Sequence, residues 1–366
     1  MDGRKTSSDE KTKCFAYKIL IMSNDEKKEY LNLKVAYQSV PFISELEKRR
    51  DYILMTPKVL FKYRKFDEFA FDMLERSYIY MTPAGKLDDP YDCLPDANLD
   101  GIFEPDHKTL TKEMMGYLVD IVFAHSHSKE IDKEGMLKLI DDCTVEGKVK
   151  KEILETKLDG FGTLTPEQKD LFFSVMINFQ NAMGTMTSDK SLKRLYKLFL
   201  SAKKKIGICS FTTKRENKPM WSLYADSYKG YCVEYEIPMK KEIIDNLCPV
   251  IYSDEIDNNI VKATVKFAIE TIIRFASDGK METDMGCFTE LLCIKDKDWE
   301  LQDEWRIIGP AGLKARGLII KNIYLGFDVS LENERKVVEC AERKGFGVYK
   351  MEKPRGPHKI AYLKIK

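Results

Sequence analysis

Histidine is scarce in this 366-residue chain, with four in all. Two of them, His125 and His127, stand two apart, a spacing that does not share a helix face. The nine cysteines never take the CxxC spacing. A structural zinc site is therefore not expected, and no metal is assigned to the candidate site. Several cysteines lie inside apolar runs, as in "IGICSF" and "GYCVEY", and read as buried free thiols in a reducing compartment. No apolar run approaches the ~20 residues that span a bilayer. The opening "MDGRKTSSDEKTK" lacks the apolar core of a signal peptide. The expectation is a soluble, cytoplasmic protein with no membrane partner. An excess of one charge is also missing: 60 Lys and Arg stand against 59 Asp and Glu. That balance gives no general case for nucleic-acid binding, although local basic patches remain open. Absence of GxGxxG, P-loop and HExxH patterns disfavours Rossmann redox chemistry, P-loop hydrolysis and zincin chemistry.

What is present is a 43% hydrophobic fraction, enough for a real core. Residues 1–13 are polar and read as a disordered tail. "CFAYKILIM" fits a strand or a buried helix, and "SNDEKKEYLNLKVAYQSV" fits a helix capped by Ser23 or Asn24. Strands are expected at "KVLFKYRKF" and "SYIYMTP", with the short helix "DEFAFDMLER" between them. Residues 105–205 are mostly helical in pattern; "TLTPEQKDLFFSVMINFQNAMG" has Thr165 as N-cap and Pro166 in the first turn. From 206 the texture changes to strands, with helices at about 260–277 and 331–343. The order predicts an α+β fold: one mixed or antiparallel central sheet with a large helical insertion at about 105–205 in a single domain over 14–366. Sheet strands are expected near 58–66, 77–82, 206–212, 230–237, 302–309 and 317–325.

Four segments can carry chemistry. "WELQDEWRIIG", taken as a strand, puts Glu300, Gln302, Glu304 and Arg306 on one face. Such a face is costly to bury without a ligand, and Arg306 is the natural partner to keep Glu304 ionised; the bland alternative is an exposed face with internal salt bridges. "CSFTTKRENKPMWSLYADSYKG" puts Ser210 and Thr212 on one strand face, where two hydroxyls can meet a ribose or a phosphate, or merely satisfy nearby backbone. Trp221 and Tyr224, three apart on a helical turn, put their rings on one side and predict the wall of a pocket for something flat, near Asp226. "LFKYRKF" offers Tyr63 and, in Arg64, a fork of donors for a phosphate. "DDPYD" offers Asp89, Tyr91 and Asp92, which may equally well only form an Asx turn or a helix cap.

In this order the segments resemble a widespread bacterial family, domain of unknown function twenty-nine seventy-one. Its pattern runs from a "YKYR"-like strand through an "NDP(F/Y)(D/E)" turn and "CFS…MWxxYAdxxkG" to "ExEWR". Here the counterparts are "FKYR" at 61–64, "DDPYD" at 88–92, "CSFT…MWSLYADSYKG" at 209–230 and "QDEWR" at 302–306. The resemblance spans about 58–330 and departs at Asp88, where Asn is typical, and at Gln302, where Glu is typical. That family implies no activity. A second resemblance, to ADP-ribosyltransferases of the Arg–Ser–Glu type, rests on the order Arg64, then Ser210-Phe211-Thr212, then Gln302-Asp303-Glu304. It implies NAD as substrate, with Arg64 on the pyrophosphate or adjacent ribose and an aromatic ring on nicotinamide. It also implies Glu304 on a ribose hydroxyl facing the developing cation, and Gln302 orienting an acceptor. The acceptor stays open: protein, nucleic acid, small molecule or water. Two other functions suit the same residues. One is a non-catalytic module binding a nucleotide or a partner. The other is a metal-dependent nuclease or phosphohydrolase using Asp89, Asp92, Asp226, Glu300 and Glu304, although no PD-x-(D/E)xK signature stands in a convincing strand.

Overall fold

The computed structural model describes residues 22–39, 54–89, 91–93, 135, 138–139, 142–145, 148–158, 170, 189–254, 289, 292–353 and 360–366. Its centre is a mixed, mostly antiparallel sheet in an α+β arrangement. The strands are β1 (Val59–Arg64), β3 (Thr82–Pro83), β6 (Ile206–Thr212), β7 (Tyr231–Glu236), β8 (Leu247–Pro249), β11 (Glu304–Pro310), β13 (Ile319–Leu325), β14 (Gly347–Met351) and β15 (Tyr362–Lys364). Their order is β15-β14-β13-β7-β1-β6-β11-β8, with β3 attached to β6. Only the β13–β14 pair is parallel within this sheet, and helix α7 (Leu331–Lys344) makes the crossover. Ser330 starts α7 by accepting from the Asn333 N–H, and Gly345 at φ 82° ends it.

Pairing parity sorts every side chain to one of two faces. Leu60, Val233, Tyr235, Phe211, Cys209, Trp305 and Ile307 share one face and form the main core with α1 (Asn24–Ser39), α2 (Ala70–Arg76) and α7. Tyr30 of α1 meets Trp305 edge-on at 5.2 Å. The opposite face carries Phe61, Tyr63, Cys232 and Tyr324, covered by α5 (Lys218–Tyr224) through Trp221 and Ala225. The same face carries Ser210, Thr212, Glu304 and Arg306, because Glu304 pairs with Thr212 and Arg306 with Ser210.

One irregularity places the site. β1 runs beside β7 over six paired positions but meets β6 at a single one, Phe61 with Thr212. Further along β6, the partner on that side is β3, through Ile208 and Gly207. Between these contacts β1 and β6 diverge, and Lys62 Nζ donates across the gap to the Ser210 carbonyl at 2.8 Å.

Several expectations need correction. The strand expected from 302 starts at Glu304, because 297–302 form a 3-10 turn that ends on Asp303 in the left-handed region, φ 43°. Neither Glu300 nor Gln302 therefore shares the strand face with Glu304 and Arg306. The strand near 77–82 is β2 (Tyr78–Tyr80), which pairs with β12 (Lys314–Arg316) outside the central sheet. Of the region 105–205, the described parts are chiefly a short hairpin at 144–149, α3 (Lys151–Leu158) and α4 (Asp189–Lys203). The tail 1–13, most of "CFAYKILIM", nearly all of the helix expected at 165–184 and the helix at 260–277 lie outside the described residues. Seven cysteines are described; all are buried and free. No described helix is long and apolar enough to cross a membrane.

Candidate functional site

The divergence of β1 from β6 opens a cavity of about 580 Å³, within the range of small-molecule sites. Four elements surround it. The sheet supplies Phe61, Lys62, Tyr63, Ser210, Phe211 and Glu304. The segment after β3 supplies Lys86, Leu87, Asp88, Asp89, Tyr91 and Asp92, while α5 supplies Met220 and Tyr224. The fourth is β10 (Ile294–Asp296) with the 3-10 turn after it, which brings Lys295, Trp299 and Gln302. Asn217 ties two of these together. Its side chain caps α5 by accepting from the Met220 N–H, and its amide donates to the Leu301 carbonyl at 2.6 Å.

A charged network lies at the centre. Arg306 is fully buried, and its Nε donates to Glu304 Oε1 at 2.7 Å while Nη2 donates to Asp92 Oδ2 at 2.7 Å. Its remaining nitrogen donates to the Leu292 carbonyl and to Cys93 Sγ. Lys295 Nζ donates to Glu304 Oε2 at 3.0 Å and to Gln302 Oε1 at 3.0 Å, and stands 3.3 Å from Asp92 Oδ2. Gln302 passes the chain on, donating from Nε2 to the Tyr224 hydroxyl at 3.0 Å. The Glu304 N–H donates to the Tyr252 hydroxyl at 2.8 Å, and Ser210, paired with Arg306 across the strands, helps to lower the Glu304 carboxyl. Two cations thus face two carboxylates, which makes burial of all four tolerable.

Burial alone would push the Glu304 carboxyl up. Arg306 and Lys295 outweigh it and hold the group down at about 2. Burial likewise opposes the charge on Lys295, but Glu304 and Asp92 raise its ammonium above the ordinary value. The site therefore holds a permanently ionised glutamate behind a cavity with aromatic walls. Lys295 also lies 5.2 Å from the centre of the Trp299 ring.

The cavity brings together Tyr63, Asp89, Tyr91, Asp92, Ser210, Tyr224, Gln302 and Glu304 from the sequence expectation. Arg306 belongs to the network but is sealed behind Glu304. Four residues lie elsewhere. Arg64 does not reach the lining, although Lys62 on the same face of β1 does; it bonds Asp67 at 3.3 Å and Met73 Sδ at 2.6 Å. Thr212 is wholly buried and accepts from the Lys214 N–H. Trp221 is 0% exposed: it packs edge-on against Tyr63 at 5.2 Å and stacks on Tyr228, so it is core rather than pocket wall. Asp226 is exposed on a left-handed turn, φ 48°. The crowd of aromatic rings around 221–231 is thus a plug under the sheet, and the flat walls come from Phe61, Tyr91, Phe211 and Trp299.

The residue that the sequence reasoning passed over is Lys295. The signal was there: one lysine after the apolar run Leu292-Cys293-Ile294, where a buried ammonium demands carboxylate partners. Lys62 and Lys86 were likewise not singled out, since surface lysines carry no distinguishing pattern.

Residues 220–307 match the model of the family described as "Protein of unknown function (DUF2971)", the family expected from the motifs. The match takes in the whole of the "MWSLYADSYKG" segment and the whole of "QDEWR". No curated protein and no solved structure matches the chain.

Proposed function

We propose that the chain consumes NAD, as an ADP-ribosyltransferase or an NAD glycohydrolase, in the cavity between β1 and β6. One observation carries this: Glu304 is buried, ionised and in the cavity lining, with Ser210 beside it in the lining and Gln302 two residues before it. Cleavage of the nicotinamide–ribose bond leaves the electron pair on nicotinamide and positive charge on the ribose. A fixed carboxylate facing that ribose stabilises the transition state more than the ground state. The bond to C1′ is then completed by a nucleophile, from water or from an acceptor, which loses its proton. Trp299 and Tyr91 offer flat surfaces for the leaving ring. With Arg64 turned away, Lys62 and Lys86 are the cations in the lining that would face the pyrophosphate.

A non-catalytic nucleotide-binding module is the competing function. It is favoured by the fact that both Glu304 oxygens already accept from cations. Incubation with adenylate-labelled NAD, with and without cell extract, tests the proposal. Release of nicotinamide or a labelled product is expected. Binding of NAD without release of nicotinamide in any condition would leave only the binding module, and absence of binding would remove both.

A further inference from the structure

We infer that Asp92 contacts the ligand directly and, together with Glu304, reads two neighbouring hydroxyls of a ribose. The inference rests on the nucleotide reading of the cavity but not on catalysis. Asp92 is 5% exposed and lines the cavity. Its position is over-determined: Oδ2 takes Arg306 at 2.7 Å and Lys295 at 3.3 Å, its N–H donates to the Asp89 carbonyl, and its carbonyl faces Lys203 Nζ at 3.5 Å. Oδ1 is buried and has no hydrogen-bond partner among the described residues. The adjacent Cys93 thiol lies beside the carboxylate but is a weak donor, and it is taken up by the Leu292 carbonyl at 3.3 Å.

A buried carboxylate oxygen without a donor is an exception among folded proteins. Asp92 lines the cavity, so the occupant of the cavity is the candidate for the missing donor. The charge of the network narrows its chemistry. Arg306 and Lys295 already balance Glu304 and Asp92, so an arriving ammonium would add an uncompensated cation, whereas a neutral hydroxyl donor keeps the balance. Lys295 bridges Glu304 and Asp92 with a single nitrogen, which makes the two carboxylates close neighbours. Adjacent acceptors of this kind suit adjacent hydroxyls on one sugar ring. The ligand class is a nucleotide whose distal ribose retains its diol.

Calorimetry on the full chain tests this with three probes: ADP-ribose and the two analogues that lack the 2-hydroxyl or the 3-hydroxyl of the distal ribose. ADP-ribose should bind ~10-fold or more tighter than at least one analogue, the usual scale for leaving a buried polar group unpaired. In Asp92→Asn that preference should shrink to about 2-fold or less while ADP-ribose still binds. A crystal structure of the wild-type chain with ADP-ribose should place a sugar hydroxyl on Asp92 Oδ1; this readout stands even if the variant fails to fold. Equal binding of all three probes, a preference that survives in Asp92→Asn, or only water on Oδ1 would overturn the inference. If ADP-ribose binds with this preference but NAD is never consumed, the diol site stands and the catalytic proposal falls. If NAD is consumed with no hydroxyl preference, the reverse holds. If ADP-ribose does not bind at millimolar concentration, the Asp92 assignment falls together with the nucleotide reading.

Discussion

Glu304 and Lys295 make the sharpest residue-scale predictions, because their charges are interdependent. The Glu304 carboxyl is held at about 2 against an ordinary 4.5. The unfolded chain therefore binds more protons in that interval, and stability should rise with pH through it. Above pH 4.5 the contribution is fully present; as pH falls towards 2 it is lost. Chemical denaturation of the wild-type chain across this window should show the loss, on the order of a few kcal/mol. Glu304→Gln should flatten that part of the acid limb. Lys295→Met removes one of the two cations holding the carboxyl down, so it should move the loss to higher pH. An acid limb identical in wild type and Glu304→Gln would contradict the electrostatic picture.

The elements around the cavity explain why part of the site was legible in the sequence and part was not. Alternation correctly joined Glu304 to Arg306 and Ser210 to Thr212, because those pairs lie within single strands. It misassigned Glu300 and Gln302, since the left-handed Asp303 interrupts the extended run. For Arg64 the strand was right but the position was not: Phe61, Lys62 and Tyr63 reach the cavity, while Arg64, at the end of β1, is held by Asp67 and Met73, turn and helix contacts that no strand pattern announces. Trp221 was misread because a ring three residues from Tyr224 can just as well turn inward, and here it fills the space between α5 and Tyr63. Trp221→Ala should therefore cost ~3–5 kcal/mol of stability, as for a buried aromatic. Ligand affinity per folded molecule should be nearly unchanged; a selective loss of affinity would return Trp221 to the pocket wall. Gly230 is the second element-scale constraint. An added Cβ there would lie 2.2 Å from the Arg64 carbonyl and 2.9 Å from Ala225 backbone. Gly230→Ala should lower stability by at least ~2 kcal/mol, the overpacking scale, measured by denaturant unfolding.

At the scale of the molecule, the α+β class and the main sheet strands followed from hydrophobic patterning and the change of texture at 206. The strand order did not, because pairing of β1 with β7 on one side and β6 on the other joins segments far apart in the chain. The cavity exists because these neighbours diverge after a single paired position. No local pattern announces such a divergence. It brings the segment after β3, helix α5 and the turn after β10 over the β6–β11 pair, where Glu304 begins β11 between its two cationic partners. The most direct test of that arrangement is Glu304→Gln, with nicotinamide release from NAD and denaturant stability measured on the same sample. Release per folded molecule should fall by roughly 10²-fold or more, the scale of removing one electrostatic stabiliser. The variant should remain folded at neutral pH, since the amide oxygen still accepts from Arg306 or Lys295. A loss of stability with unchanged release per folded molecule would make Glu304 a structural anchor and contradict its role in the chemistry.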